Sequence, residues 1–114
     1  MLAVEYPGYG VYKGDKSSEQ ILTDAEIVYW YLTRTIQIQS KNIILFGRSI
    51  GSGPATHLAT YDCAGLILMS GYVSIKEIVK DFTGGSLLQH FVKDHFNNSE
   101  KIRNTKCPIL LIHG

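Results

Sequence analysis

The sequence predicts an α/β protein, a parallel sheet with crossover helices. Four short apolar runs rich in β-branched or large aliphatic residues recur along the chain, and longer stretches between them carry helical spacing. Each run is nearly continuous in apolar character, as expected of strands covered by helices on both faces. At 114 residues there is room for one core and not two. Hydrophobic residues make up 45% and charged residues 18%, which lets the chain bury that core and argues against disorder or a coiled coil.

The apolar runs are Leu2–Tyr6, Asn42–Phe46, Gly65–Met69 and Ile109–Ile112. After the first, Ser17-Ser18-Glu19-Gln20 offers a hydroxyl cap with an acidic or amide residue in the first turn. Ile21, Leu22, Ala25, Val28, Tyr31 and Leu32 then recur at three- and four-residue spacing, an amphipathic helix ending near Arg34. Tyr29, Trp30 and Tyr31 lack the basic neighbours of a base-stacking platform and are read as helix packing. A second helix is expected from about Ile50 to Tyr61. Val73–Ser99 is less periodic, broken by Gly84-Gly85 with Phe82, Phe91 and Phe96 scattered through it, and reads as a cap-like insertion of short helices.

Eleven Lys and Arg against ten Asp and Glu leave a net charge of +1, with no electrostatic footprint for nucleic acid. The apolar runs are far shorter than the roughly 20 residues of a spanning helix, and Glu5 follows Met1 too closely for a secretory signal. Cys63 and Cys107 are two isolated thiols, which favours a reduced, intracellular setting. Asn97-Asn98-Ser99 formally matches a glycosylation acceptor, but without an export signal it reads as a chance loop triplet. His90 and His95 are one residue off the helical ligand repeat, and no metal or cofactor is expected. Gly51-Ser52-Gly53-Pro54-Ala55-Thr56 ends in Thr where a dinucleotide loop needs Gly, and Gly14-Asp15-Lys16-Ser17 interrupts the Gly-Lys-Ser of a phosphate loop.

Gly47-Arg48-Ser49-Ile50-Gly51 fits G-x-S-x-G between an apolar strand and a helical stretch, the context that motif requires. A tight strand-to-helix turn there holds Ser49 in a strained backbone conformation at the carboxyl edge of the sheet. Gly47 and Gly51 then stand where a side chain would collide with a neighbouring element. The helix that follows aims its N-terminal amides at the reaction centre, so the Ile50 N–H is placed to donate to a developing oxyanion. The competing reading has the glycines permit a close helix–strand crossing and Ser49 act as an N-cap.

With this motif in place, the chain resembles the α/β-hydrolase superfamily, within it the branch of membrane-associated serine hydrolases that includes protein depalmitoylases. Tyr6-Pro7-Gly8-Tyr9-Gly10 is similar to the loop after that family's fourth strand, Asn42–Pro54 to its fifth strand and nucleophile elbow, and Cys107–Gly114 to its seventh strand. The resemblance implies a partial α/β-hydrolase fold of family strands four to seven, with residues 1–114 the central fragment of a single domain and the insertion at about 73–99. It implies Ser49 as the catalytic nucleophile, the Ile50 N–H as an oxyanion donor, and Gly47, Arg48 and Gly51 as the elbow. The family's acid and base would follow Gly114, and its other oxyanion donor would precede Met1.

Acyl esters or thioesters are the implied substrates, with S-acylated protein as the branch's own substrate class. The implied location is cytoplasmic or at a membrane periphery, through segments outside this chain. The rival from another class is a noncatalytic binding or scaffold module that keeps the elbow shape. His57, eight residues past Ser49 on the leaving helix, lies about 12 Å along its axis and is out of reach of the hydroxyl. His90, His95 and His113 lack a positional argument for the base, as do Asp62, Asp81 and Asp94 for the acid. A chain starting at the family's fourth strand is also expected to leave a vacant position between Leu2–Tyr6 and Ile43–Phe46, with exposed strand edges and self-association.

Overall fold

Ile21, Ala25 and Tyr29 stand four residues apart, and a helix brings them onto one buried stripe. The computed structural model describes residues 1–4, 18–69 and 98–112, and in it this helix, α1, spans Ser18–Trp30. The helical path continues through a wider turn over Tyr31–Thr35, where the Ile36 N–H donates to the Tyr31 carbonyl five residues back at 3.0 Å. Gln37 then takes a left-handed φ of 64°, and the Ile38 N–H reaches the Leu32 carbonyl six residues back at 2.9 Å, which closes the helix end. Tyr29 is 4% exposed and Tyr31 54%. The stripe therefore runs through Tyr29 and not, as the spacing suggests, through Tyr31.

Strand β1 spans Ile44–Arg48, β2 Gly65–Met69 and β3 Ile109–Ile112, paired in parallel in the order β1-β2-β3. The expected Asn42–Phe46 strand thus starts two residues later, because Ser40–Asn42 form a single tight turn, and it runs on to meet Ser49 directly. Arg48 lies opposite Met69 and Met69 opposite Ile112, so the carboxyl ends of all three strands form one edge. A short turn, Ser49–Gly51, leads into α2 at Ser52–Leu58, which stops short of the expected Tyr61. Helix α3, Asn98–Arg103, precedes β3 and takes in the end of the expected insertion. The rest of that insertion, with Tyr6–Gly10, Ser17, His113 and Gly114, lies outside the described residues.

Small residues let α2 settle close on the sheet: Ser52, Gly53, Pro54, Ala55 and Thr56 are all buried. Pro54 falls in the first turn of α2, where a backbone N–H finds no acceptor within the helix. Beneath it Ala55, Ala59, Leu66 and Leu68 form one core, joined at its margin by Leu45, Ile102 and Ile109. On its flank Leu58 meets Ala25 and Tyr29 of α1.

Two expectations are corrected. Met1–Val4 form no strand, and Leu2 and Val4 are exposed; apolar character does not make a strand without a neighbour to supply the ladder, and among the described residues none pairs with them. The remainder of the Leu2–Tyr6 run lies outside the described residues. Nor do the described residues cover the sheet on both faces. Alternation sends Leu45, Leu66, Leu68 and Ile109 toward α2 and leaves Ile44, Phe46 and Leu110 more than half exposed on the other side.

Candidate active site

Arg48 ends β1 in an extended conformation, φ −118° and ψ 133°. Ser49 next takes φ 52°, in the left-handed region that a side chain with a Cβ occupies at a cost of about 1–3 kcal/mol. Gly51 at φ −69° and Ser52 at φ −64° are already helical. A single residue, Ser49, thus absorbs the whole change of direction between strand and helix. The Ser52 N–H closes the turn on the Ser49 carbonyl.

The crowding that demands glycine falls at Gly47. A Cβ there would stand 2.6 Å from the Gly51 carbonyl oxygen, 2.7 Å from the Ser52 Cα and 2.8 Å from the Ala55 Cβ. No side chain fits against backbone at that range, so Gly47 is what lets α2 lie across β1. Gly51 has an ordinary right-handed backbone and contributes its carbonyl to the contact.

Ser49 and Ile50 are half-buried at the carboxyl edge of the sheet, where open α/β sheets place their ligands. The Ile50 N–H belongs to the first turn after the strand, whose amides lack intrahelical acceptors and carry the positive end of the helix dipole. Three residues past Ser49, the Ser52 hydroxyl is fully buried and has no hydrogen-bond partner among the described residues. Thr56 is equally buried but donates to the Ser52 carbonyl at 2.7 Å.

His57 is engaged elsewhere. Its Nε2 lies 2.7 Å from Glu26 Oε1, and the Tyr61 hydroxyl donates to the same oxygen at 2.6 Å. The Tyr61 bond, then the His57 bond, hold the Glu26 carboxyl below its usual range, and the Glu26 bond with burial raises the Tyr61 phenol. Burial pushes the Lys101 ammonium down, opposed by the nearby Glu26 charge. Tyr29, buried and raised in pKa by that burial, donates to the Asp62 carbonyl at 2.6 Å. No hydrogen bond links the Ser49 hydroxyl to a histidine or carboxylate among the described residues. Nor do three or more His, Cys, Asp or Glu side chains gather there in a way that could hold a metal. His90, His95, Asp81 and Asp94 lie outside the described residues. The Glu26–His57–Tyr61 cluster carried no signal in the sequence, since Glu26 stands more than 30 residues before both of its partners.

The chain is 33% identical to alpha/beta hydrolase domain-containing protein 17C of Xenopus tropicalis, over its whole length and 36% of that protein. It is 32% identical to the Homo sapiens protein 17C of that name, covering 34% of it, and 30% identical to Homo sapiens alpha/beta hydrolase domain-containing protein 17B, covering 38%. Its relatives are alpha/beta hydrolases. It spans about a third of the length of these hydrolase relatives. Its parallel sheet with packed helices is consistent with part of an α/β-hydrolase fold. No family model and no solved structure matches it. No helix among the described residues is long and apolar enough to cross a membrane.

Proposed function

We propose that this chain carries the nucleophile of a serine hydrolase that cleaves acyl esters or thioesters, with S-acylated protein as the substrate class. The observation that carries this reading is the left-handed backbone of Ser49, held between a parallel strand and a helix that Gly47 allows to cross at contact distance. Strain of this kind collects where a reacting group must be presented. The Ser49 hydroxyl attacks the acyl carbon and expels the alcohol or thiol; water then releases the acid from the acyl-enzyme. The Ile50 N–H donates to the oxyanion of each tetrahedral intermediate.

A fluorophosphonate probe applied to the protein in the cells that make it tests this. The expected result is covalent modification of the peptide containing Ser49, lost in Ser49→Ala. Absence of labelling, or labelling that survives Ser49→Ala, overturns the proposal and leaves a binding module with the shape of a hydrolase turn.

A further inference from the structure

Cys63 and Cys107 are far apart in the sequence, yet each stands just ahead of one of two neighbouring strands. Cys63 sits three residues before Leu66 of β2 and Cys107 two before Ile109 of β3, and Leu66 and Ile109 are ladder partners. The Leu66 N–H donates to the Pro108 carbonyl at 3.0 Å, which ties the starts of the two strands together just beyond the cysteines. Counted back along that register, Cys107 falls level with Ala64, one residue from Cys63. Both thiols are free and half-buried, and both pack on the one core of Ala55, Ala59, Leu66 and Leu68, so they lie on the same side of the sheet. They are near enough that Cys107 helps to hold the proton on the Cys63 thiol. A strand spacing of about 4.8 Å with one residue of stagger falls within the Cα separation of about 4.4–6.8 Å that a disulfide spans.

We propose that Cys63 and Cys107 form a reversible intramolecular disulfide that staples the loop leading into β2 to the turn leading into β3 and makes the protein responsive to the thiol–disulfide poise around it. The oxidant is a small-molecule disulfide such as oxidised glutathione. Burial, then the hydrogen bond with Cys107, push the Cys63 thiol up to about 12, which makes Cys63 a poor first attacker. Exchange therefore begins at Cys107, whose sulfur gives up its proton, attacks the small disulfide and expels one glutathione thiolate. Capping Cys107 removes the thiol partner that held the Cys63 proton. Cys63 then loses that proton, attacks the Cys107 sulfur of the mixed disulfide and expels the second glutathione thiolate. Two protein thiols are oxidised, one small disulfide is reduced to two thiols, and these carry away the two protons.

The staple sits at the amino-terminal ends of β2 and β3, the sheet edge opposite Ser49, so it acts on stability and not on the serine. It closes the chain from residue 63 to residue 107 into a loop, a span whose closure is expected to raise the melting temperature by about 10–20 °C.

The protein, purified reduced, is equilibrated with mixtures of reduced and oxidised glutathione and mapped by mass spectrometry of unreduced peptides. The expected result is a linked Cys63–Cys107 peptide in monomeric protein, reversal by dithiothreitol, and a melting temperature higher in the oxidised form. In Cys63→Ser and in Cys63→Ala the reaction is expected to stop at a glutathione adduct on Cys107, with no such rise. Separate stable adducts on both cysteines of the unaltered protein, disulfides only between molecules, or two thiols that stay free where a reference dithiol is oxidised would each overturn the proposal.

Discussion

At Gly47 a missing side chain sets the geometry of the candidate site. A methyl group added there would meet two backbone atoms of the following turn and the Ala55 Cβ, none of which can rotate away. Gly47→Ala is therefore expected to destabilise the fold by about 1–3 kcal/mol through overpacking. Ser49 poses the reverse case, since its cost lies in the backbone. Ser49→Gly should gain about 1 kcal/mol by removing the left-handed penalty, even as it removes the hydroxyl. Urea midpoints of the two variants should move in opposite directions, and a shift in the same direction would mean that the turn is not held as described. The G-x-S-x-G spacing made Gly47 and Ser49 legible in the sequence. Which glycine is crowded was not, because that depends on how closely α2 crosses β1.

Between elements, the contact of α1 with α2 is organised by aromatic rings and one carboxylate. Tyr29 and Tyr61 stack at 5.6 Å, Trp30 leans on both, and the Arg34 guanidinium lies 4.1 Å over the Trp30 ring. Glu26 ties the base of this cluster to His57 and Tyr61. Its carboxyl is held below the ordinary 4.5, first by the Tyr61 bond and then by the His57 bond, so the folded state favours the ionised form. The resulting stability is present above 4.5 and is lost as pH falls through the lowered value. Glu26→Gln is expected to lower stability at neutral pH and to flatten its decline in acid. Denaturation midpoints at neutral and acid pH measure this, and equal acid slopes in the two proteins would count against it.

At the scale of the whole molecule, the sheet is packed on one side and open on the other among the described residues. Ile44 is 63% exposed, Phe46 57% and Leu110 54%, and Ile44 and Leu110 line a shallow apolar groove that also takes in Gly65, Ile67 and Pro108. Contiguous apolar surface of this kind drives association in water. The 114-residue chain is expected to sediment as larger species as its concentration rises, and Phe46→Lys with Leu110→Lys to hold it nearer the monomer. Sedimentation velocity over a concentration series decides; a monomer at every concentration would show that the face is covered.

The α/β class, β2 and β3 with their bounds, and the place of Ser49 between strand and helix were all legible in the sequence. Strand runs, helical spacing and the Gly-x-Ser-x-Gly turn are local, and neighbouring residues impose them through backbone sterics and period. The missing strand at Met1–Val4 and the choice of Tyr29 over Tyr31 were decided by tertiary structure, because a strand needs a partner and a buried face needs a neighbour. The same holds for the Glu26–His57–Tyr61 cluster and for the meeting of Cys63 with Cys107. Those contacts join residues dozens of positions apart, and only the parallel register and the crossing of α2 over the sheet bring them together.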